Sequence, residues 1–269
     1  MHLPRWGKLQ LARSFSSVGG VCKLLQRNWG QGCARSLSSA GRGELAPPEP
    51  LFPTTVKHAS EGVRADMLKV GLTGGMASGK SLIVQELARL GCHVIEADAL
   101  GHEVLLASGE AYSPVVAEFG PSILDAVGAI DRNKLSAFAF HNPNRLKTLT
   151  SVVHPAVRRL SDARRAAFER SDPSGILVYE AAILVETGGF RDFDKLIVAS
   201  APEEIQIERA MARDGSTREA VVARLRRQLP LSDKVRHADF VIDTGGTMEH
   251  TIEQTRSVYE KLRGVKQAS

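Results

Sequence analysis

Residues 71–81, GLTGGMASGKS, decide the fold of this chain. Gly74 and the run Gly79-Lys80-Ser81 are separated by four residues, which is the spacing of a phosphate-binding loop. Glycine lets the backbone curl until several amide groups point inward, and a helix that starts at Lys80 adds the positive end of its dipole. An apolar run precedes the loop and a helical pattern follows it, as this mechanism requires. A tight strand-to-helix turn without a ligand is the alternative interpretation.

The loop predicts a site for the phosphates of a nucleotide. Lys80 is expected to contact the β- and γ-phosphates, and the Ser81 hydroxyl is expected to bind Mg²⁺. The predicted nucleotide-binding residues are Gly74, Gly75, Met76, Ala77, Ser78, Gly79, Lys80, Ser81 and Leu82.

From Met67 onward the chain alternates short apolar runs with helical patterns. This alternation predicts an α/β fold, in which helices cover both faces of a parallel sheet. The carboxyl ends of the strands then lie along one edge, where ligands of such sheets bind. The predicted strands are 68–73, 93–96, 175–180, 194–199 and 239–242. The predicted helices are 80–90, 98–107, 111–119, 132–140, 155–170, 202–213, 217–228 and 247–263.

Residues 1–66 differ in composition from the rest of the chain. They hold nine of the 35 Lys and Arg residues but only four of the 30 acidic residues, with none before Glu44. This Arg- and Ser-rich segment, which ends in a proline-rich stretch, is typical of a mitochondrial presequence. It predicts the mitochondrial import machinery as a partner, and either the matrix or an outer surface as the location. A disordered basic tail on a cytoplasmic protein is the alternative.

The composition of residues 67–269 argues against several classes of protein. Their basic and acidic side chains balance, so no net charge draws this part of the chain toward nucleic acid. No apolar run approaches the roughly 20 residues of a membrane-spanning helix. Cys92 is the one cysteine in this range, which leaves neither a disulfide framework nor a zinc cluster. Cys92 is therefore expected to fill the core.

Two carboxylates lie where predicted strands end. Asp98 follows the second strand and is placed either to accept a proton from an attacking hydroxyl or to hold magnesium through water. It fits the N-cap of the next helix equally well. Glu180 closes the third strand, where it would orient magnesium through water, and a capping role is again the alternative. Glu96 lies two residues before Asp98 and is a candidate partner for it.

Arginine residues cluster between 209 and 227, around the turn Asp214-Gly215-Ser216. Arginine stabilises charge on a transferring phosphoryl group, and a mobile lid often delivers it. Arg213 and Arg218 flank the turn and are the candidates for this role. The remaining arginines of the cluster fit a solvated helical face.

These segments together resemble the dephospho-coenzyme A kinases. The resemblance runs from Met67 to about Gly246, and the order and spacing of the segments are more specific than the phosphate loop alone. The segments are VGLTGGMASGKS, LGCHVIEADALGHEV, FGPSIL followed by IDRNKL, HPAV, EAAILVE, RAMARDGSTREAV and RLRRQLPLSDKVRHADFVIDTGG.

The resemblance implies a five-stranded parallel kinase core, a helical acceptor-binding part at about 100–170 and a lid at about 209–228. It implies that ATP donates its γ-phosphate to the ribose 3′-hydroxyl of dephospho-CoA. We expect a monomer or weak oligomer. We also expect this activity alone, because 66 residues are too few for the nucleotidyltransferase that some relatives carry.

The resemblance also implies roles for individual residues. Lys80 would hold phosphates, Asp98 would be the base for the 3′-hydroxyl, and Arg213 would be the lid arginine. The pair His154 and Pro155 matches a His-Pro near the acceptor, although on sequence alone His154 also fits a cap or a packed residue at the start of the helix 155–170. Glu180 opens the matching segment EAAILVE, which closes with Glu186.

Five positions depart from the family pattern. Ala77 stands where Gly is frequent, and Leu82 replaces a hydroxyl residue. Glu96 and Glu180 replace Asp, which moves each carboxylate by one methylene and makes their roles less secure than that of Asp98. Ala182 replaces the usual Pro.

Three alternatives to this kinase also contain a phosphate loop, and the sequence argues against two of them. A kinase for another small metabolite, such as a nucleoside monophosphate, would share the fold. A GTP-binding switch needs an Asn-Lys-x-Asp segment, but Ser136 follows Asn133-Lys134 where the Asp should stand. A silent paralogue is opposed by the presence of Lys80, Ser81 and Asp98.

Overall fold

The structure is a computed structural model that describes residues 67–140 and 142–267. Residues 1–66, to which the presequence prediction applies, lie outside the described residues. None of the helices in the described ranges combines the length and the apolar character that crossing a membrane requires.

Five strands form one sheet at the predicted positions. All four strand pairings are parallel, and the order across the sheet is β2-β3-β1-β4-β5. The prediction of a parallel α/β sheet is therefore confirmed. The strands are β1 (Leu68–Gly74), β2 (His93–Glu96), β3 (Ile176–Glu180), β4 (Lys195–Ser200) and β5 (Phe240–Asp243).

Helices connect the strands and cover both faces of the sheet. They are α1 (Lys80–Arg89), α2 (Ala97–Glu103), α3 (Tyr112–Phe119), α4 (Arg132–Phe140), α5 (Pro143–Ser171), α6 (Glu203–Asp214), α7 (Arg218–Leu225), α8 (Leu231–Val235) and α9 (Met248–Gln267). The sequence did not predict α8, which is only five residues long.

Alternate residues of the strands enter two different cores, because successive side chains of a strand point to opposite faces. Val70 and Val178 pack with α1 and α9 on one face, in a cluster that also contains Cys92, as predicted. Leu177 and Leu196 pack on the other face, against residues of α5 and α8. Both faces are therefore covered, which is what near-continuous apolar strands require.

A separate apolar cluster joins α3, α4 and α5 away from the sheet. Its buried members include Val115, Ile123, Leu135, Leu149 and Val153. The cluster lies within the range 100–170, for which acceptor binding stays a prediction.

The helix predicted at 155–170 begins twelve residues earlier, because α5 spans Pro143–Ser171. The prediction that His154-Pro155 starts a helix is wrong, since Pro155 lies inside α5. A stronger start signal stands upstream: the Asn142 side chain caps the helix by accepting from the Asn144 amide at 2.9 Å. Pro143 follows it at the first helical position, where proline costs no hydrogen bond.

Candidate active site

The phosphate loop leaves the middle strand of the sheet, between β1 and α1. Strands β1 and β3 are neighbours in the sheet. The connection from β1 leads to β2 at one edge, whereas the connection from β3 leads to β4 on the other side, so the two connections leave in opposite directions. Ligands of open parallel sheets bind at such a switch point. The fold therefore places the predicted loop where a nucleotide site is expected.

A close backbone approach explains one glycine of the loop, and a left-handed conformation explains another. A Cβ atom on Gly74 would lie 2.6 Å from the carbonyl oxygen of Ala199, so a side chain there would push the loop off β4. Gly79 is the N-cap of α1 with a φ of 79°, a left-handed conformation that glycine adopts without strain. Ala77 also has a positive φ, of 55°, which costs a residue with a Cβ atom about 1 kcal/mol or more.

The turn leaves several backbone amides available to a ligand. In the described part of the chain, the amides of Ala77, Gly79, Lys80 and Ser81 have no hydrogen-bond acceptor. The last two belong to the first turn of α1, whose initial amides have no partner within a helix. These donors and the helix dipole form a cradle for an anion, which suits the predicted phosphates.

Lys80 folds back over the loop that it ends. Its Nζ lies 3.2 Å from the Gly75 carbonyl oxygen and 3.7 Å from Oε1 of Glu180, the last residue of β3. Ser81 is exposed to solvent in the first turn of α1, so its hydroxyl is accessible to an ion. The two residues thus stand beside the cradle, as the sequence predicted.

Three carboxylates form an acidic cluster at this edge of the sheet. Glu96 and Glu180 are paired in register at the ends of β2 and β3. Asp98 is the second residue of α2, and its charge acts on both glutamates. The fold therefore brings Asp98, Glu96 and Glu180 together next to Lys80.

Burial gives Glu180 an unusual ionisation. Its removal from water raises the pKa of Glu180 to about 7; Lys80 opposes this rise, and the charges of Asp98 and Glu96 add to it. Glu96 is exposed as a residue, but partial burial of its carboxyl group and the charge of Asp98 raise its pKa as well. A proton and a cation therefore compete for the Glu180 carboxylate near neutral pH.

Asp98 is not the N-cap of its helix. The cap position of α2 belongs to Glu96, and no side chain caps it with a hydrogen bond. The alternative interpretation of Asp98 as a capping residue is therefore wrong. Asp98 is half-buried in the first turn of α2, and its role as a base stays a prediction.

The predicted lid residues occupy the end of α6, the turn at Gly215 and α7. Arg213 and Arg224 both pair with the Asp214 carboxylate, at 2.8 Å and 3.1 Å. Arg218 pairs with Glu204 at 2.7 Å. These ion pairs lie within the α6–α7 segment, and contact of an arginine with a phosphate stays a prediction.

Met76 joins the phosphate loop to α6 and α7. Its side chain is buried in a small cluster with Ile207, Ala210 and Val221 of α6 and α7. Its amide donates to Oε1 of Gln228, just after α7, at 2.9 Å. The loop is therefore in direct contact with α6 and α7, and their role as a lid stays a prediction.

His154 lies in the middle of α5, where burial lowers its pKa to about 4. It is therefore a neutral imidazole at physiological pH, available for hydrogen bonding but not as a cation. Pro155 is exposed. Helix α5 packs against α2, which carries Asp98, and contact of His154 and Pro155 with an acceptor stays a prediction.

Two polar residues that support the site were not singled out from the sequence. Thr244, after β5, donates to the Ser78 carbonyl oxygen inside the loop at 2.7 Å. Lys234 in α8 is fully buried and paired with Glu186 at 2.7 Å. Lys234 lies three residues after the apolar Leu231, so the two share one side of α8, but this signal was missed because α8 was not predicted.

The residues around the loop fit a magnesium ion held mainly by a nucleotide. The described residues contain no group of three His, Cys, Asp or Glu side chains that could hold a metal unaided. Magnesium usually retains waters and binds through one or two protein oxygens together with substrate phosphates. The Ser81 hydroxyl and the acidic cluster supply oxygen donors of that kind.

Comparison with known proteins identifies relatives along this part of the chain. The dephospho-CoA kinase family model matches residues 68–250. The dephospho-CoA kinase of Geobacillus kaustophilus is 40% identical over 194 residues, which cover 72% of this chain and 96% of the relative. That of Aquifex aeolicus is 38% identical over 196 residues, covering 73% and 98%.

Solved structures share the fold. TT1252 from Thermus thermophilus superposes with a TM-score of 0.62 at 30% identity, covering 73% of this chain and 98% of that one. A dephospho-CoA kinase from Campylobacter jejuni gives a TM-score of 0.52 at 24% identity, covering 72% and 96%, and supports the fold alone.

Proposed function

The chain belongs to the dephospho-CoA kinase family, and we propose that it transfers the γ-phosphate of ATP to the ribose 3′-hydroxyl of dephospho-CoA. The products are CoA and ADP, so the reaction is the last step of CoA biosynthesis. One observation carries the chemistry of this proposal: a cradle of backbone amides, Lys80 and the acidic cluster meet at one edge of the sheet.

Each part of this edge has a separate task in the proposed reaction. The amides and Lys80 bind the β- and γ-phosphates and neutralise charge as it moves toward ADP. Asp98 accepts the proton of the 3′-hydroxyl. The hydroxyl oxygen then bonds to the γ-phosphorus while the bond between the γ-phosphorus and the β–γ bridging oxygen breaks. Arg213 stabilises the transferring group after leaving Asp214.

Magnesium completes the proposed site. Ser81 would bind the ion directly, and Glu180 would hold it through water. When bound, the ion supplies positive charge to the phosphate oxygens. Glu180 ionises near neutral pH, so its carboxylate is available to a cation in that range.

The first test is an acceptor profile of the purified protein. With ATP and Mg²⁺, we expect dephospho-CoA to gain one phosphoryl group, which mass spectrometry measures. An analogue of dephospho-CoA that lacks the 3′-hydroxyl should not react, which would assign the phosphoryl group to the 3′ position. Nucleoside monophosphates, gluconate and shikimate serve as competing acceptors. Faster turnover of any of these would replace the proposed substrate.

The second test removes the proposed base. Asp98→Asn keeps the size of the side chain but cannot take a proton, so we expect kcat to fall by about 10² or more while ATP affinity is nearly unchanged. Glu103→Gln, at the other end of α2, is the matched control and is expected to keep kcat. Equal kcat for Asp98→Asn and wild type would remove Asp98 from this role.

Two further proposals concern the protein in the cell. The composition of residues 1–66 supports import into mitochondria with cleavage before about residue 66, in the matrix or at an outer surface. Sequencing the N-terminus of the protein recovered from cells tests this, and an intact N-terminus would contradict it. We also propose a monomer or weak oligomer, which sedimentation equilibrium checks.

A further inference from the structure

Lys234 is fully buried although it carries an ionisable amine. Its Nζ lies 2.7 Å from Oε1 of Glu186 and donates to the carbonyl oxygen of Ala182 at 2.8 Å. Burial lowers the pKa of Lys234, whereas Glu186 opposes that change. Lysine is rarely buried this deeply unless its charge is paired, so the ion pair with Glu186 is required for this burial.

Both acceptors of Lys234 lie in the turn that follows Glu180. The Ala182 carbonyl oxygen also accepts from the hydroxyl of Thr73 at 3.2 Å. Thr73 immediately precedes Gly74, the first residue of the phosphate loop. One carbonyl group therefore joins three segments, namely the strand that enters the loop, the turn behind Glu180, and α8.

The chain between α7 and α8 attaches to the same framework at two more points. The Leu229 amide donates to Oε1 of Glu186 at 3.3 Å, and Gln228 accepts from the Met76 amide of the phosphate loop at 2.9 Å. Segment 228–234 thus spans the distance between the loop and the turn. Lys234 ends this bridge with a charge-assisted hydrogen bond, the stronger kind.

The bridge fixes geometry without adding net charge beside Lys80. The positive charge of Lys80 acts on Lys234, so the two amines are close enough to repel each other. Glu186 cancels the charge of Lys234 and leaves Lys80 to attract Glu180. Ala182 lacks the ring with which a proline would fix the backbone φ angle, so the turn depends on its hydrogen bonds for its shape.

We propose that Lys234 is a positioning residue for phosphoryl transfer, which holds the turn at Ala182–Glu186 and thereby sets Glu180 opposite Lys80. Because Lys234 is fully buried, the proposed role acts through Glu180 and includes no contact with a substrate. The inference rests on the proposed function, because Glu180 and Lys80 matter only if the edge of the sheet is the active site.

The variant Lys234→Met removes both hydrogen bonds of the amine. We expect kcat to fall by about tenfold to a hundredfold, because small displacements of reacting groups cost that much, while the KM values for ATP and dephospho-CoA change less than about threefold. Turnover is measured well below the melting temperature of the variant and per folded molecule. A residue with a purely structural role would lower the melting temperature and leave this kcat unchanged.

The double variant Lys234→Met/Glu186→Gln separates positioning from the cost of an unpaired buried charge. It leaves no uncompensated carboxylate in the core, so we expect the melting temperature to recover much of its loss. The Ala182 carbonyl still lacks its charged donor, so kcat should stay low. Recovery of kcat together with the melting temperature would overturn the proposal.

Lys195→Met is the matched control. It breaks the Lys195–Asp239 pair, which is 2.9 Å long and lies at the opposite end of the sheet, and is expected to keep wild-type kcat. An equal fall of kcat in the control would refute a special role for Lys234. Absence of dephospho-CoA phosphorylation in the wild type would contradict the proposed function alone, and the variants would then be compared on the acceptor that profiling identifies.

Discussion

Replacing Glu180 by glutamine should make the metal-free protein more stable at alkaline pH. The wild-type carboxyl group is buried at the end of β3, and its pKa in the folded protein is about 7 against an ordinary value of 4.5. Below pH 4.5 the group is protonated in both the folded and the unfolded chain. Between pH 4.5 and 7 only the folded chain keeps the proton, so the free energy of unfolding falls as the pH rises.

The magnitude follows from these two pKa values. One pKa unit corresponds to about 1.4 kcal/mol, so the difference between 4.5 and about 7 represents about 3 kcal/mol lost once the pH exceeds 7. Lys80, Asp98 and Glu96 face the group, and their charges are already part of this balance. Glutamine has no proton to lose, so the Glu180→Gln variant should lack this loss of stability.

Urea unfolding with EDTA at pH 5, 6, 7 and 8 measures the effect. The stability of Glu180→Gln relative to wild type should increase with pH and level off above pH 7, and the titration of all other groups largely cancels in the difference. Glu204→Gln is the control, because Glu204 is exposed and paired with Arg218 at the surface. A constant difference between Glu180→Gln and wild type across this pH range would refute the argument that burial raises the pKa of Glu180.

Three further perturbations test other parts of the site and the core. Lys80→Ala removes the amine beside the cradle and should weaken ATP binding and lower kcat together; calorimetry that finds unchanged ATP affinity would contradict the phosphate contact. Ala77→Gly relieves a left-handed φ of 55° and should raise the free energy of unfolding by up to about 1 kcal/mol, whereas a loss of stability would contradict this strain. Cys92 is buried, and burial raises its pKa from 9.0 to about 12. Its alkylation at pH 8 should therefore be about 10³-fold slower in the folded protein than in urea, as measured by peptide mapping of this residue. Equal rates in the two states would refute its place in the core.

The sheet was predictable because its strands are short, apolar and followed by helical patterns. The carboxyl edge was predictable too, since parallel strands must end on the same side, which is enough to place Lys80, Asp98 and Glu180 together. The order of the strands was not predictable, because nothing local to β3 records that it lies between β1 and β2. The pKa of Glu180 depends on that order, since β3 is buried between two neighbours.

The start of α5 shows a different limit. The Pro155 signal is real as a local preference, but the capped start at Asn142 and Pro143 lies upstream and extends the helix through Pro155. Packing of Leu149 and Val153 into the helical core stabilises the intervening turns, so tertiary contacts outweigh the interruption of one backbone hydrogen bond. A proline inside a helix is therefore explained only once its neighbours are known to be buried.

Lys234 shows which part of a buried charge a sequence reveals. Its spacing of three residues from the apolar Leu231 indicates burial once α8 is known to be a helix, and burial requires a compensating group. The identity of that group depends on the packing of α8 beside β4 and on the turn after β3, two segments that only the folded sheet brings together. A lysine on an apolar helical face therefore predicts that a partner exists, and the topology decides that the partner is Glu186, behind the carboxylate that faces Lys80.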